Sequence, residues 1–227
     1  MAISYNILLE KRVDLNSNIG IDEQILQIAI YDEFKAYETY SKIIETFGNI
    51  SPFSNIKEAE AVHYSVLIQL AEKYEIEVPI NDWRDKIEIP STIIECCELG
   101  VASEIENIAM YNNLLTHSTK SDITDTLFRL QAASFNNHLP AFRASVINHY
   151  NGFGNLQNSE DIIGKMKEYE ELINNLMSGN IDENTISNLS SKLFSNISFQ
   201  FLAGAVGGAA IVALLNQFLE NQNLNKE

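Results

Sequence analysis

Ile56-Lys57-Glu58-Ala59-Glu60-Ala61-Val62-His63-Tyr64-Ser65-Val66-Leu67 is the stretch on which the reading of this chain turns. Ile56, Glu60, His63 and Leu67 step by four, three and four, and Leu70 and Tyr74 continue the rhythm, so these residues share one helix face. Glu60 and His63 therefore sit inside an apolar stripe, one turn apart. A carboxylate buried among apolar side chains is costly unless a cation or a partner compensates it. No Lys or Arg shares the stripe.

Three further segments repeat the pattern. Ala29, Glu33, Ala36, Tyr37, Tyr40, Ile44 and Phe47 recur at helical spacing, with Glu33 on the inner face. Cys97, Gly100, Glu104, Ile108, Tyr111 and Leu115 form a third stripe, carrying Glu104. Leu127, Gln131, Ser134, His138, Ala141, Phe142 and Ser145 form the fourth, and point His138 inward. Four helices thus each contribute at least one of Glu33, Glu60, His63, Glu104 and His138, a donor set of carboxylates and imidazoles suited to a metal ion. The chain also echoes itself: Tyr40 follows Glu33 by seven residues, as Tyr111 follows Glu104, and each pair is followed by a histidine on the next helix. Two helical hairpins facing each other bring such ligands together.

Composition narrows the function. The formal net charge of -16 disfavours nucleic acid and anionic membrane surfaces, which are bound through Lys and Arg. Most of this charge reads as solvated helix faces; the inward glutamates do not. With 227 residues the chain can bury a full core, and its few prolines and glycines leave room for long helices, so the fold class is all-α. The two cysteines, Cys96 and Cys97, are adjacent, a spacing poorly suited to a disulfide, and the N-terminus lacks the pattern of a signal peptide. A cytoplasmic, reducing setting is expected.

Four regions follow: an N-terminal extension (1–21), a four-helix unit (22–150), a linker with a helix (151–192), and an apolar glycine-rich helix with a polar tail (193–227). The spacing predicts helices from about Asp22 to Phe47, ending before Gly48, and from about Ser54 to Tyr74. Residues 75–90, with Pro79, Asn81, Asp82 and Trp83, read as non-helical, and their extended reach of about 50 Å suffices for a long crossover. A third helix starts after Pro90 under a Thr92 and Glu95 capping box and ends near His117. The fourth starts at Ser121 or Asp122 and runs to about Tyr150, with a kink expected at Pro140, close to His138. His117 and His149 read as surface or capping residues.

Beyond these, a helix is expected at about Glu160 to Met177, with a turn around Gly179 and Asn180. From Leu193 to Leu219 there is no charged residue, and residues 197–215 are long and apolar enough to cross a bilayer. Gly204 and Gly208 form a small-xxx-small pair that allows close helix approach. Gln200 and the scarcity of flanking Lys and Arg argue against a span, so a membrane anchor, a buried helix and a self-associating helix all stay open.

With the ligands placed, the chain resembles the ferritin-like superfamily, whose members carry Glu on one helix and Glu-x-x-His on the next, twice over. Glu33-x-x-Ala36-x-x-x-Tyr40, Ile56-x-x-x-Glu60-x-x-His63 and Asn137-His138-Leu139-x-Ala141-Phe142 resemble a poorly characterised branch of it, over about residues 22 to 150. The resemblance implies a four-helix bundle with a long crossover between its second and third helices, and a di-iron-carboxylate site with Glu60 bridging. One departure stands out: three residues before His138, where a second Glu is expected, the chain has Phe135. Glu106 lies about 200° round the helix from Glu104, on another face. A symmetric pair, an asymmetric pair, a single metal and a lapsed site are therefore alternatives.

Two functions follow as expectations. One is a metal bundle that binds iron, or manganese, and oxidises Fe(II) or handles oxygen or peroxide. The other is non-enzymatic: a structural protein that forms a homo-oligomer, or sits on a membrane, through residues 197–215. No glycine-rich phosphate loop, Ser-His-Asp order or Cys-His pair points to an organic substrate.

Overall fold

Gly48 ends the first long helix as its place after Phe47 predicts: its backbone lies in the left-handed region, at φ 93°, and its N–H closes on the Ile44 carbonyl. A second punctuation signal is equally legible. Thr92 accepts the Glu95 N–H and the Glu95 carboxylate accepts the Thr92 N–H, a complete capping box. Between and beyond these points a computed structural model describes residues 4–152, and the described residues are all-α, with no strand. The elements are α1 (Tyr5–Glu10), α2 (Ile21–Phe47), α3 (Phe53–Lys73), α4 (Ile93–His117), α5 (Ser121–Ala133), a π-helical turn (Ser134–His138) and α6 (Leu139–Gly152). α2 lies along α3, α4 packs on α5 and α6, and further contacts join α2 to α4 and α3 to α5.

The core is split in two. One apolar cluster gathers Ile25, Leu26, Ile28, Leu67, Met110, Leu114, Ile123 and Leu127. The other gathers Tyr40, Ile43, Phe53, Ile56, Val101, Phe142 and Val146. The candidate ligands fall between the two on α3 (Glu60 and His63), on α4 (Glu104) and at the end of the π-turn (His138), and Glu33 lies beside Phe34 at the edge of the first cluster on α2. A polar layer is thereby enclosed by apolar packing on both sides.

Burial follows the predicted stripe on α3 from Ile56 through Glu60 and His63 to Leu67; beyond it Ala71 is buried, while Leu70 and Tyr74 are half-buried. It exceeds the stripe on α2, whose residues from Gln24 to Phe34 are buried all round. Two segments that periodicity does not mark provide the extra cover. α1 tucks Ile7 and Leu8 into the first cluster. The helix-free residues 76–92 lie across α2, with Trp83 Nε1–H donating to the Tyr31 carbonyl at 2.9 Å and Gln27 donating to the Glu77 carbonyl at 3.0 Å.

The fourth predicted helix departs from its expected form. Just before Pro140, where the sequence predicts a kink, the structure winds residues 134–138 as a π-turn, in which the Leu139 N–H reaches back five residues to the Ser134 carbonyl. Among the described residues no helix is long and apolar enough to cross a membrane. The helix expected near 160–177 and the apolar run 193–219 lie outside the described residues.

Candidate metal centre

The five residues singled out by periodicity converge. Ligand atoms of Glu33, Glu60 and His63 lie within 4.8 Å of one another, as do those of Glu60, Glu104 and His138, and all five residues are buried. Glu60 belongs to both groups. Its Oε2 is 2.8 Å from His63 Nδ1 and its Oε1 is 3.3 Å from His138 Nδ1, while Glu33 Oε2 stands 3.2 Å from His63 Nδ1. The two imidazole rings stack, 5.5 Å between centroids and 20° apart in plane. Two three-ligand groups thus share one central carboxylate.

The tyrosines close the arrangement crosswise. Tyr40, on the helix of Glu33, donates its hydroxyl proton to Glu104 Oε1 at 2.9 Å. Tyr111, on the helix of Glu104, donates to Glu33 Oε1. The sequence repeat of Glu and Tyr seven residues apart therefore becomes an exchange: each half's tyrosine fixes the other half's glutamate. Burial and the adjacent carboxylates raise both phenol pKa values well above normal, so both stay protonated donors.

His138 is the informative member. It is 4% exposed, yet its Nδ1 has no hydrogen-bond partner. Glu60 and Glu104 approach it at 3.3 and 3.5 Å, attracting its charge without a directed bond. Its nitrogen is thus held by the charge of two carboxylates and by no directed bond, a position that a metal ion could take over from the proton.

Without a metal the centre manages its charge with protons. Burial alone would raise the Glu33 pKa, but the hydrogen bond and charge of His63, helped by Glu60 and Tyr111, hold it at about 2. Glu60 moves the other way, to about 8, through burial and then the negative charge of Glu33. Burial opposes charge on both histidines, yet the glutamates outweigh it, raising His63 to about 10 and His138 to about 9. Protonated His63 between two carboxylates is a stand-in for a cation.

Phe135 does not fill the place of the missing glutamate. It is 56% exposed, and the buried neighbour one π-turn before His138 is Ser134. Ser134, four residues before the histidine, keeps the inward place that the fourth stripe gives it. The Ser134 hydroxyl donates to Asn107 Oδ1 at 2.9 Å, and the Asn107 amide donates to Asp32 Oδ2 at 3.1 Å and to Glu33 Oε1 at 3.5 Å. Asn107, three residues after Glu104, and buried Asp32 escaped the sequence reading; the spacing of Asn107 was the available signal. Glu106 stays outside the centre, paired with Lys11 at 2.8 Å and Lys35 at 3.8 Å. Cys96 and Cys97 are buried free thiols, both pushed up to about 11 by burial.

Fold and site together define, among the described residues, an all-helical unit whose buried carboxylate and histidine groups are able to hold a metal. No family model matches the chain, and no curated protein matches it. A hypothetical protein from Methanococcus jannaschii DSM 2661, known as a crystal structure, is similar in fold, with a TM-score of 0.53 at 19% identity over 67% of this chain and 97% of that one. At that identity the likeness speaks to the helical fold alone.

Proposed function

We propose that the chain is a ferritin-like four-helix bundle, with residues 76–92 as its long crossover, that binds two iron or manganese ions and uses them to oxidise Fe(II) or to handle oxygen or peroxide. The observation that carries the reading is the convergence of three carboxylates and two imidazoles from four helical segments, with His138 Nδ1 buried between two carboxylates and making no directed hydrogen bond. Glu33 and His63 would hold one ion, Glu104 and His138 the other, and Glu60 would be shared. Bound there, iron or manganese would supply a redox-active Lewis acid.

The chain's own residues prepare the site for that role. Tyr40 and Tyr111 orient the terminal glutamates through hydroxyl donation, which leaves the other oxygen of each carboxylate for coordination. The protons on His63, His138 and Glu60 must leave as cations arrive, so loading releases acid and tightens as pH rises. The two apolar clusters exclude water from the centre's flanks.

Elemental analysis of protein grown with supplemented iron and manganese, beside the Glu60→Ala, His63→Ala double variant, tests this. About two ions per wild-type chain, lost in the variant, support the dinuclear reading. One ion supports an asymmetric mononuclear site, and absence of metal from the wild type sinks the reading. The uncharged run from Leu193 to Leu219 favours a second reading, in which the helical unit is a scaffold that self-associates or anchors to a membrane through residues 197–215.

A further inference from the structure

His63 and His138 are held in different ways. The His63 ring is fixed by its own side-chain bonds, since Nδ1 meets Glu60 at 2.8 Å and Glu33 at 3.2 Å. His138 Nδ1 makes no directed bond, its two carboxylates standing at 3.3 and 3.5 Å. Its place is therefore set by the backbone that carries it. That backbone is the π-turn, which begins at Ser134, ends at His138 and closes through the Leu139 N–H on the Ser134 carbonyl. Turns of this kind are rare inside helices, so this one needs support beyond helix propensity.

Asn107, buried on α4, supplies it from outside the turn. Its carbonyl oxygen accepts the Ser134 hydroxyl at 2.9 Å, and its amide nitrogen donates to Asp32 Oδ2 at 3.1 Å and to Glu33 Oε1 at 3.5 Å. A carboxamide has two N–H donors and one carbonyl, and here all of them are used. They tie α2, α4 and the π-turn together at one buried point, and Lys11 anchors the far end through its ion pair with Asp32. The sequence repeat shows which half needs this tie. At the offset that relates Glu33 to Glu104 and Tyr40 to Tyr111, Asn107 corresponds to Ala36, whose side chain can form no such bond. The carboxamide thus stands in the half whose histidine lacks a directed bond.

We propose that Asn107 is a positioning residue for His138: acting through the Ser134 hydroxyl, it pins the start of the π-turn and so sets where the imidazole stands against Glu60 and Glu104. The inference rests on the metal-centre reading above only for its effect on the second ion. Gln131 supplies the contrast. It also ties this part of the chain to α4, donating to the Ile108 carbonyl at 3.1 Å and to Asn112 at 2.8 Å, but it lies in α5, before the turn.

NMR of metal-free protein tests the placement. The two imidazoles stack with centroids 5.5 Å apart, so the wild type should give a nuclear Overhauser cross-peak between them. Ser134→Ala should lose it, whereas Gln131→Met should keep it even where urea unfolding shows an equal loss of stability. Cobalt(II) titration reads the consequence. Ser134→Ala should bind the second equivalent about tenfold more weakly, about the worth of one net hydrogen bond, with the first unchanged. In an Asn107→Leu background the same change should add nothing, as for two residues that act through one bond. An unchanged cross-peak in Ser134→Ala, equal losses in Ser134→Ala and Gln131→Met, an unaffected second equivalent, or additive losses with Asn107→Leu overturns the inference. Where Asn107→Leu does not fold, the comparison of Ser134→Ala with Gln131→Met decides alone. A wild type that takes up one equivalent of cobalt or none overturns the dinuclear reading and leaves the cross-peak to decide the role of Asn107.

Discussion

Glu60 has both oxygens engaged, Oε2 toward His63 and Oε1 toward His138, whereas Glu33 and Glu104 each serve one side. Glu60→Gln should therefore abolish uptake at both positions, and Glu33→Gln at only one, as read by elemental analysis; equal losses from the two variants would contradict the shared role. The metal-free protein carries its own signature in pH. His63, His138 and Glu60 hold protons more tightly folded than unfolded, at about 10, 9 and 8 against 6.5, 6.5 and 4.5. Their stabilisation is complete below the unfolded values and is lost as pH rises through the folded ones. Glu33, held at about 2, contributes in the opposite sense, above 4.5, and loses that contribution only as pH falls toward 2. Urea unfolding of metal-free protein should thus show stability falling between about pH 7 and 10, and a rise across that window would refute the assignment. At this scale the sequence was informative: every candidate ligand lies where helical spacing put it, because a carboxylate inside an apolar stripe is tolerable only where a cation or a proton donor meets it. The crosswise Tyr40 and Tyr111 bonds were not legible, since which helix a hydroxyl reaches depends on how the hairpins face each other.

A helix is tuned by what its neighbour allows, and Gly100 shows this on α4. A Cβ built there would fall 2.6 Å from the Phe142 ring of α6, far inside contact distance. Alanine ordinarily favours a helix over glycine by about 1 kcal/mol. Here the clash should win, and Gly100→Ala should destabilise the protein by about 1–3 kcal/mol, by forcing α4 and α6 apart one turn from Glu104. Thermal unfolding of Gly100→Ala, Phe142→Leu and the double variant checks it: the double variant should recover part of the loss, and strictly additive effects would show that the ring is not the cause. The π-turn before Pro140 is the element the sequence hid. Proline predicts a disturbed helix, but not that the disturbance takes the form of one wider turn. Within that turn Phe135 faces outward, and Ser134, already on the predicted stripe, faces inward.

Across the whole molecule, the candidate centre depends on residues 32–138, and its cover comes from α1 and residues 76–92. Sequence periodicity located the long helices and missed this cover, because a six-residue helix and an irregular strap have too few turns to show a stripe. The uncharged run at 193–219 follows a different pattern: its sequence has no Asp, Glu, His, Lys or Arg, and the Gly204 and Gly208 spacing is of the kind that allows close helix contact. The two parts are therefore expected to separate on truncation. A chain ending at Ser191 should keep the wild-type metal content and the metal-free pH profile, while its oligomer size by light scattering, or its partition onto lipid vesicles, changes. If metal content falls with the tail, then residues beyond 191 help to close the centre, and the division between a metal-binding unit and an assembly segment is wrong. If metal, size and partition all stay the same, the assembly role is removed, and the carboxylate centre among the described residues is left to account for the chain's function.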